Sequence, residues 1–294
     1  MPYVESPIFY MGCKYKLLKQ IIPLFPEKCD TFFDAFGGSA VVSMNYQGQK
    51  KTIYNDFNIC IADLVRMFKE TAPETLNEYF TKTIEQYGLV CLGRDFRDKM
   101  SQQKGYYDFR KHYNESNEKD MRDLYLLSCY SMNHLMRFNQ NNEFNASCGS
   151  TQRYIYEKIQ NAHPLLQNIE IQNQNLFDID FSVFTENDFL YFDPPYSNTT
   201  AVYNEKRAFG GWTIEDDLRL FQILEDLNNR GVKWALSNVF INRGKENSHL
   251  VKWVHEKEYN VYHLNRNYNP FSHGKSNNDE VLICNYIKED CDEK

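Results

Sequence analysis

Four consecutive residues, Asp193-Pro194-Pro195-Tyr196, put a carboxylate, a main-chain carbonyl and an aromatic face within one short segment. An exocyclic amine on a nucleobase is a poor nucleophile, because its lone pair is delocalised into the ring. Two acceptors aimed at its hydrogens, the Asp193 carboxylate and the Pro194 carbonyl, would favour a tetrahedral nitrogen able to attack a sulfonium methyl. Tyr196 would stack on a base taken out of its duplex. The same residues would also make an Asp-Pro turn beside a packed tyrosine. However, Asp188-Phe189-Leu190-Tyr191-Phe192 just before them reads as a strand, and the two prolines end it. A tetrapeptide that closes a buried strand favours the chemical reading.

The elements that must position these residues alternate strand and helix. Thr31-Phe32-Phe33-Asp34-Ala35-Phe36 is a short aromatic run ending in Gly37-Gly38-Ser39-Ala40, and Val41, Val42 and Met44 begin a helix-like stretch. A glycine turn after a strand lets the backbone approach a ligand and offers the amides of a helix N-terminus. On its own it equally well describes a turn with no ligand. Lys51-Thr52-Ile53-Tyr54-Asn55 ends in Asp56, which lies 19 positions after Gly37, close to the glycine-to-acid interval that holds a ribose in dinucleotide-type folds. Gly-x-Gly-x-x-Gly and a Walker lysine are absent, so nicotinamide and nucleoside-triphosphate readings lose support.

Residues 57 to about 90 predict two helices, and 91–158 is a polar, aromatic stretch centred on Phe138 to Asn145. Thr213 predicts the cap of a helix containing Leu218, Phe221, Leu224 and Leu227, ended by Gly231 and followed by a strand over 232–237. Strand-like segments run from Tyr259 to Leu264 and from Glu280 to Ile287. The expected fold is an α/β sheet with helices on both faces and its ligand crevice at the carboxyl ends of the strands.

With 294 residues, 42% apolar and 15% aromatic, the chain can bury one large core. Neither a leader-like N-terminus nor a membrane-length apolar run is evident, which predicts a cytoplasmic protein. The eight cysteines are scattered, without zinc spacing, so reduced thiols and no metal are expected. A net charge of −7 argues at first against nucleic acid. Yet acid concentrates in Lys288–Lys294 and Glu215-Asp216-Asp217, while Arg94 to His112 is locally basic, as a nucleic-acid face or simply as a solvated helix.

Taken together, these motifs resemble those of the DNA amino-methyltransferases, specifically the Dam-type adenine-N6 methylases, over nearly the entire chain. Tyr10-Met11-Gly12-Cys13-Lys14 is similar to that family's N-terminal Trp-Ala-Gly-Gly-Lys, and Phe33 to Ala40 to its cofactor loop. Their order, cofactor loop, recognition region, catalytic tetrapeptide, is the family's α arrangement. The resemblance implies a Rossmann-like S-adenosylmethionine-dependent methyltransferase sheet (1–60 and 159–294) with a mostly helical target-recognition insert (61–158). It implies that Tyr10, Gly12, Lys14, Asp34, Phe36, Gly37, Gly38, Ser39 and Asp193 meet the cofactor, with Asp56 on the ribose. Asn175, or alternatively Asp178, stands where the family has an acid near the cofactor's adenine. Asp193, Pro194, Pro195 and Tyr196 match the catalytic motif. Arg137, Asn139 and Asn145 are side chains of the kind that read base edges, and Lys275 is placed to touch a phosphate. Cys13 and Ala40 depart from the pattern, replacing usual glycines. The implied activity is site-specific methylation of adenine N6 in double-stranded DNA by base flipping, in a restriction-modification, phage or host system, with a cognate endonuclease as a separate partner. Methylation of cytosine N4, RNA adenine or a protein glutamine, and a non-catalytic DNA-binding protein with a methylase fold, are the alternatives. Asp193 favours adenine over the first group, and intact Lys14, Asp34, Asp56 and Asp193 oppose the second.

Overall fold

The aromatic run after residue 28 is β1 (Cys29–Asp34), and Gln49–Asn55 is β2, paired parallel with it. The computed structural model describes residues 2–89, 99–149, 154–196, 211–264 and 278–288. Further along lie β3 (Ile169–Gln172), β4 (Phe189–Phe192), β5 (Lys233–Asn242), the short β6 (Lys245–Glu246), β7 (Asn260–Leu264) and β8 (Asp279–Cys284). They form one sheet of order β3-β2-β1-β4-β5-β8-β7, with β6 paired to the end of β5. Strands β1 to β5 run parallel, and β8 is antiparallel to both its neighbours. The chain passes from β1 to β2 and β3 on one side and returns to build β4 and β5 on the other. The carboxyl ends of β1 and β4 therefore flank a topological switch point, where an open α/β sheet leaves a crevice.

Helices α1 (Leu18–Ile21), α2 (Val41–Asn45), α3 (Ile59–Glu70), α4 (Pro73–Tyr87), α5 (Lys99–Glu115), α6 (Met121–Tyr130) and α7 (Tyr156–Leu166) precede β3; α8 (Ile214–Asn229) and α9 (Ser248–Lys257) follow β4 and β6. Period-two alternation divides the sheet's side chains between its faces. Leu190 and Phe192 pack with Leu220 and Leu224 of α8 and Leu250 of α9, whereas Phe189 and Tyr191 pack with Leu17, Leu18 and Val42. A third apolar cluster runs without interruption from Tyr54 and Ile169 of the sheet through α3 into α4, α5, α6 and α7. The helices of the insert thus share a core with the sheet layer.

Thr213 caps α8 as expected: its hydroxyl accepts from the Asp216 amide, and the Asp216 carboxylate accepts from the Thr213 amide at 2.9 Å. Leu218 faces outward, while Phe221, Leu224 and Leu227 are buried. The last strand is shorter than the apolar pattern suggests. It stops at Cys284, because the Asn285 side chain takes over the pairing beside β5, accepting from the Trp234 amide at 2.8 Å and donating to the Val232 carbonyl at 2.9 Å. Ile287, expected to end that strand, is 74% exposed. Among the described cysteines, Cys29, Cys129 and Cys284 are buried, and Cys13, Cys60 and Cys148 are partly so. No helix among the described residues is long and apolar enough to cross a membrane.

Candidate active site

Three adjacent strands each deliver a carboxylate to the same place. Asp34 is the last residue of β1, and Asp56 and Asp193 follow β2 and β4 directly. All three line one cleft of about 740 Å³ at the carboxyl ends of the strands. Tyr10, Gly12 and Lys14 join the same wall through a tight turn, in which the Cys13 amide donates to the Tyr10 carbonyl at 3.2 Å and Gly12 has φ +86°.

Lys14 gathers the Asp193 to Tyr196 segment. Its Nζ donates to both Asp193 oxygens, at 2.5 and 2.6 Å, and to the Tyr196 hydroxyl at 3.1 Å. Burial disfavours the lysine charge, but Asp193 and the Tyr196 and Tyr191 hydroxyls outweigh it and hold the pKa well above that of an ordinary lysine. Burial pushes the Tyr196 hydroxyl up as well. Pro194 and Pro195 continue the cleft wall between Asp193 and Tyr196.

The glycine loop is held by its neighbours' polar groups. The Gly37 amide donates to the Asn55 carbonyl, the Gly38 amide to Asp56 Oδ2, and the Tyr54 hydroxyl to the Gly38 carbonyl, each at 2.8 Å. A Cβ on Gly37 would lie 2.2 Å from the buried Tyr54 ring. Phe36, Gly37, Gly38 and Ser39 all face the cleft. Of the two departures from the family's glycines, Cys13 has φ −47°, where a side chain is unstrained, and its sulfur accepts from the Ser39 hydroxyl at 3.4 Å. Ala40 does adopt a glycine-like left-handed conformation, φ +60°, at a cost of about 1–2 kcal/mol.

Burial sets the electrostatics of the acids. It pushes the Asp34 carboxyl up to about 7, with the Ser43 hydroxyl opposing from 2.6 Å and the Asp193 and Asp56 charges adding to the rise. Burial likewise takes Asp56 up to about 6 against the pull of the Asn58 and Gly38 amides.

At the far side Asn175 lines the cleft, its Oδ1 accepting from the Phe177 amide at 3.0 Å, whereas Asp178 is not part of the wall. Phe177, Trp212, Arg219 and Glu280 also line it, and no sequence motif pointed to them. Phe177 and Trp212 lie on connections and Arg219 within α8, where an aromatic or arginine looks like ordinary packing. Glu280 shows a recognisable signal, a buried acid that follows Asp279 at the head of the apolar run Val281–Cys284.

The residues expected at DNA bases lie elsewhere, on a hairpin-like loop anchored by the buried Phe138 and Phe144, which form an isolated antiparallel bridge. Asn114 of α5 clamps this loop by accepting from the Phe144 amide at 2.8 Å and donating to the Phe144 carbonyl at 3.0 Å. At its base the exposed Arg137 donates to the Asn145 side chain at 2.8 Å, and at its tip Asn139 donates to Glu143 at 2.7 Å. Just before this loop, the His134 ring lies 4.5 Å from that of Phe9, the neighbour of Tyr10. Lys275 and the Arg94 end of the basic stretch lie outside the described residues.

A family model described as D12 class N6 adenine-specific DNA methyltransferase matches residues 10–269. The chain belongs to this family. It is 39% identical over 293 residues to modification methylase StsI of Streptococcus sanguinis and 36% identical to the type II methyltransferase M.FokI of Planomicrobium okeanokoites. Both alignments use 97% of this chain and 43% of the relative, so the chain spans less than half the length of these D12 relatives. Against M1.LlaDCHI, a type II methyltransferase of Lactococcus lactis subsp. cremoris, identity is 30% with 94% of each chain covered.

Proposed function

We propose that this chain transfers the methyl group of S-adenosylmethionine to the N6 amino nitrogen of an adenine flipped out of a short double-stranded DNA sequence. The observation that carries this reading is the convergence of Asp193 to Tyr196, the Gly37–Ser39 loop and Asp56 on one cleft. The cleft fits that cofactor. Asp34 is 1% exposed and lines it, yet its Oδ1 has no hydrogen-bond partner among the described residues, which suits the ammonium of an amino-acid moiety. Each Asp56 oxygen receives one amide, which leaves acceptor capacity for ribose hydroxyls. Gly37 and Gly38 let the backbone come close where a Cβ would strike Tyr54 or Tyr10.

S-adenosylmethionine, when bound, supplies an electrophilic methyl. The Asp193 carboxylate and Pro194 carbonyl accept from the amino hydrogens and draw electron density back onto N6. Lys14 holds Asp193 ionised and in place, Pro195 stiffens the segment, and the Tyr196 ring provides the stacking face. Arg137, Asn139 and Asn145 of the 61–158 unit read base edges, and Lys275 contacts the DNA backbone. Relatives named as modification methylases and type II methyltransferases support a cytoplasmic modification role beside a separate restriction endonuclease.

The test is transfer of labelled methyl groups to methylation-free DNA, followed by digestion to nucleosides. Label in N6-methyldeoxyadenosine is expected; label in N4-methyldeoxycytidine, or none with folded protein, overturns the proposal.

A further inference from the structure

One acid of the cleft wall is not used by the methyl transfer. Glu280 lies near the start of β8 and is 6% exposed. Alternation along the strand puts Glu280, Leu282 and Cys284 on one face of the sheet and Val281 and Ile283 on the other. Leu282 and Cys284 pack with Leu17, Leu18 and Tyr191, whereas Val281 and Ile283 pack with Leu220 of α8 and Leu250 of α9. Glu280 therefore belongs to the face that carries Tyr191. Because β8 runs against β5, its first residues reach the carboxyl ends of the parallel strands. Leu282 stands opposite Ser237, whose Oγ lies 2.7 Å from the Tyr191 hydroxyl, and Glu280 stands opposite Val239, further toward the cleft. There it lines the same wall as Lys14, Asp193 and Tyr196.

Tyr196 gives this acid a role. Its hydroxyl accepts from Lys14 Nζ at 3.1 Å and has a hydrogen of its own to donate. Burial above all, with the Asp193 and Glu280 charges, raises the pKa of this hydroxyl against the pull of Lys14, so it stays a neutral phenol able to donate. A buried carboxylate, in turn, needs donors. A phenol gripped by a cation alone can still tilt; one held between a cation and an anion is fixed in its plane.

We infer that Glu280 is a positioning residue for Tyr196: its carboxylate accepts the phenolic hydrogen and, with Lys14, sets the ring on which the flipped base stacks. The inference rests on the base-flipping reading proposed for this site. The two acids then divide the work, Asp193 meeting the target amine and Glu280 acting through the tyrosine.

The experiment uses a duplex containing the sequence that the wild type methylates, with 2-aminopurine in place of the target adenine. It compares wild type, Glu280→Ala, Glu280→Gln, Tyr196→Phe and the double variant Tyr196→Phe/Glu280→Ala, each bound to S-adenosylhomocysteine. Glu280→Ala should alter the emission of the captured 2-aminopurine and raise the KM for unmodified duplex by about tenfold or more, as expected for a lost hydrogen bond to a charged group. kcat should fall less, and affinity for S-adenosylhomocysteine should hold. Tyr196→Phe should show a KM defect of the same size, and adding Glu280→Ala to it should cost no more. Glu280→Gln, whose amide oxygen still accepts from the phenol, should recover most of the loss. Wild-type emission and KM in Glu280→Ala or in Tyr196→Phe overturn the inference alone, as does a full further loss in the double variant; should Glu280→Ala fail to fold, Tyr196→Phe decides. A folded wild type that methylates no DNA overturns the proposed function and this inference with it.

Discussion

Replacing Lys14 with Met keeps most of the buried side-chain volume and removes the cation that grips Asp193. The Lys14 side chain is 5% exposed and that of Asp193 18%, so little water is at hand to take the ammonium's place. At a separation of 2.5 Å and an effective permittivity near 20, the attraction amounts to about 6–7 kcal/mol. Desolvation takes back part of this, and breaking such a pair costs about 3–5 kcal/mol. Asp193 would escape the penalty by holding a proton, so its ionisation moves up. A protonated carboxyl is a poorer acceptor for two amine hydrogens, so transfer at neutral pH falls. The assay is single-turnover methyl transfer at saturating cofactor and DNA between pH 5.5 and 9. Lys14→Met should be slow at the acid end of this range and recover as pH rises, while the wild type shows no such rise. A folded Lys14→Met enzyme with the wild-type rate and profile would refute the claim that Lys14 keeps Asp193 ionised.

Three other outcomes follow from the same geometry. Burial raises Asp34 to about 7, so its contribution to folding is fully present below its unfolded pKa near 4 and is lost as pH rises through 7. The melting temperature of ligand-free Asp34→Asn should therefore gain on wild type from pH 5 to about 7 and level off above that, and a pH-independent difference would contradict the assignment. Gly37→Ala must displace the buried Tyr54 ring and its hydrogen bond to Gly38, so a loss of about 1–3 kcal/mol in stability is expected by denaturant titration, together with weaker cofactor binding. Arg137→Ala should relax or abolish sequence choice, read by methylation mapping, with cofactor affinity unchanged; an unaltered methylation pattern would remove Arg137 from the bases.

The central sheet was legible because its strands carry dense apolar runs that end in punctuation: Gly37 after β1, Asp56 after β2 and Pro194 after β4. β3 (IEIQ) escaped notice, since it is four residues long and mostly polar or half-exposed. Strand direction is not written in a strand's own sequence, so the antiparallel placement of β8 between β5 and β7 emerged only from the pairing. At the site, the tetrapeptide and glycine loop have local signatures. The grip of Lys14 on Asp193 joins residues 179 positions apart and is visible only once the first turn folds over the sheet. Trp212 went unnoticed because its place in the cleft wall is set by a buried carboxylate five residues later, itself joined to a histidine from another helix.

The most direct measurement is to express the wild type and Asp193→Ala in a bacterial host lacking its own DNA methylases and to map modified bases by long-read sequencing. With the Asp193 carboxylate facing the target amine as proposed, N6-methyladenine in one short sequence context is expected with wild type only, while the purified variant still binds S-adenosylhomocysteine. Methylated cytosine, or unmodified DNA in both strains with soluble protein, would contradict the assignment.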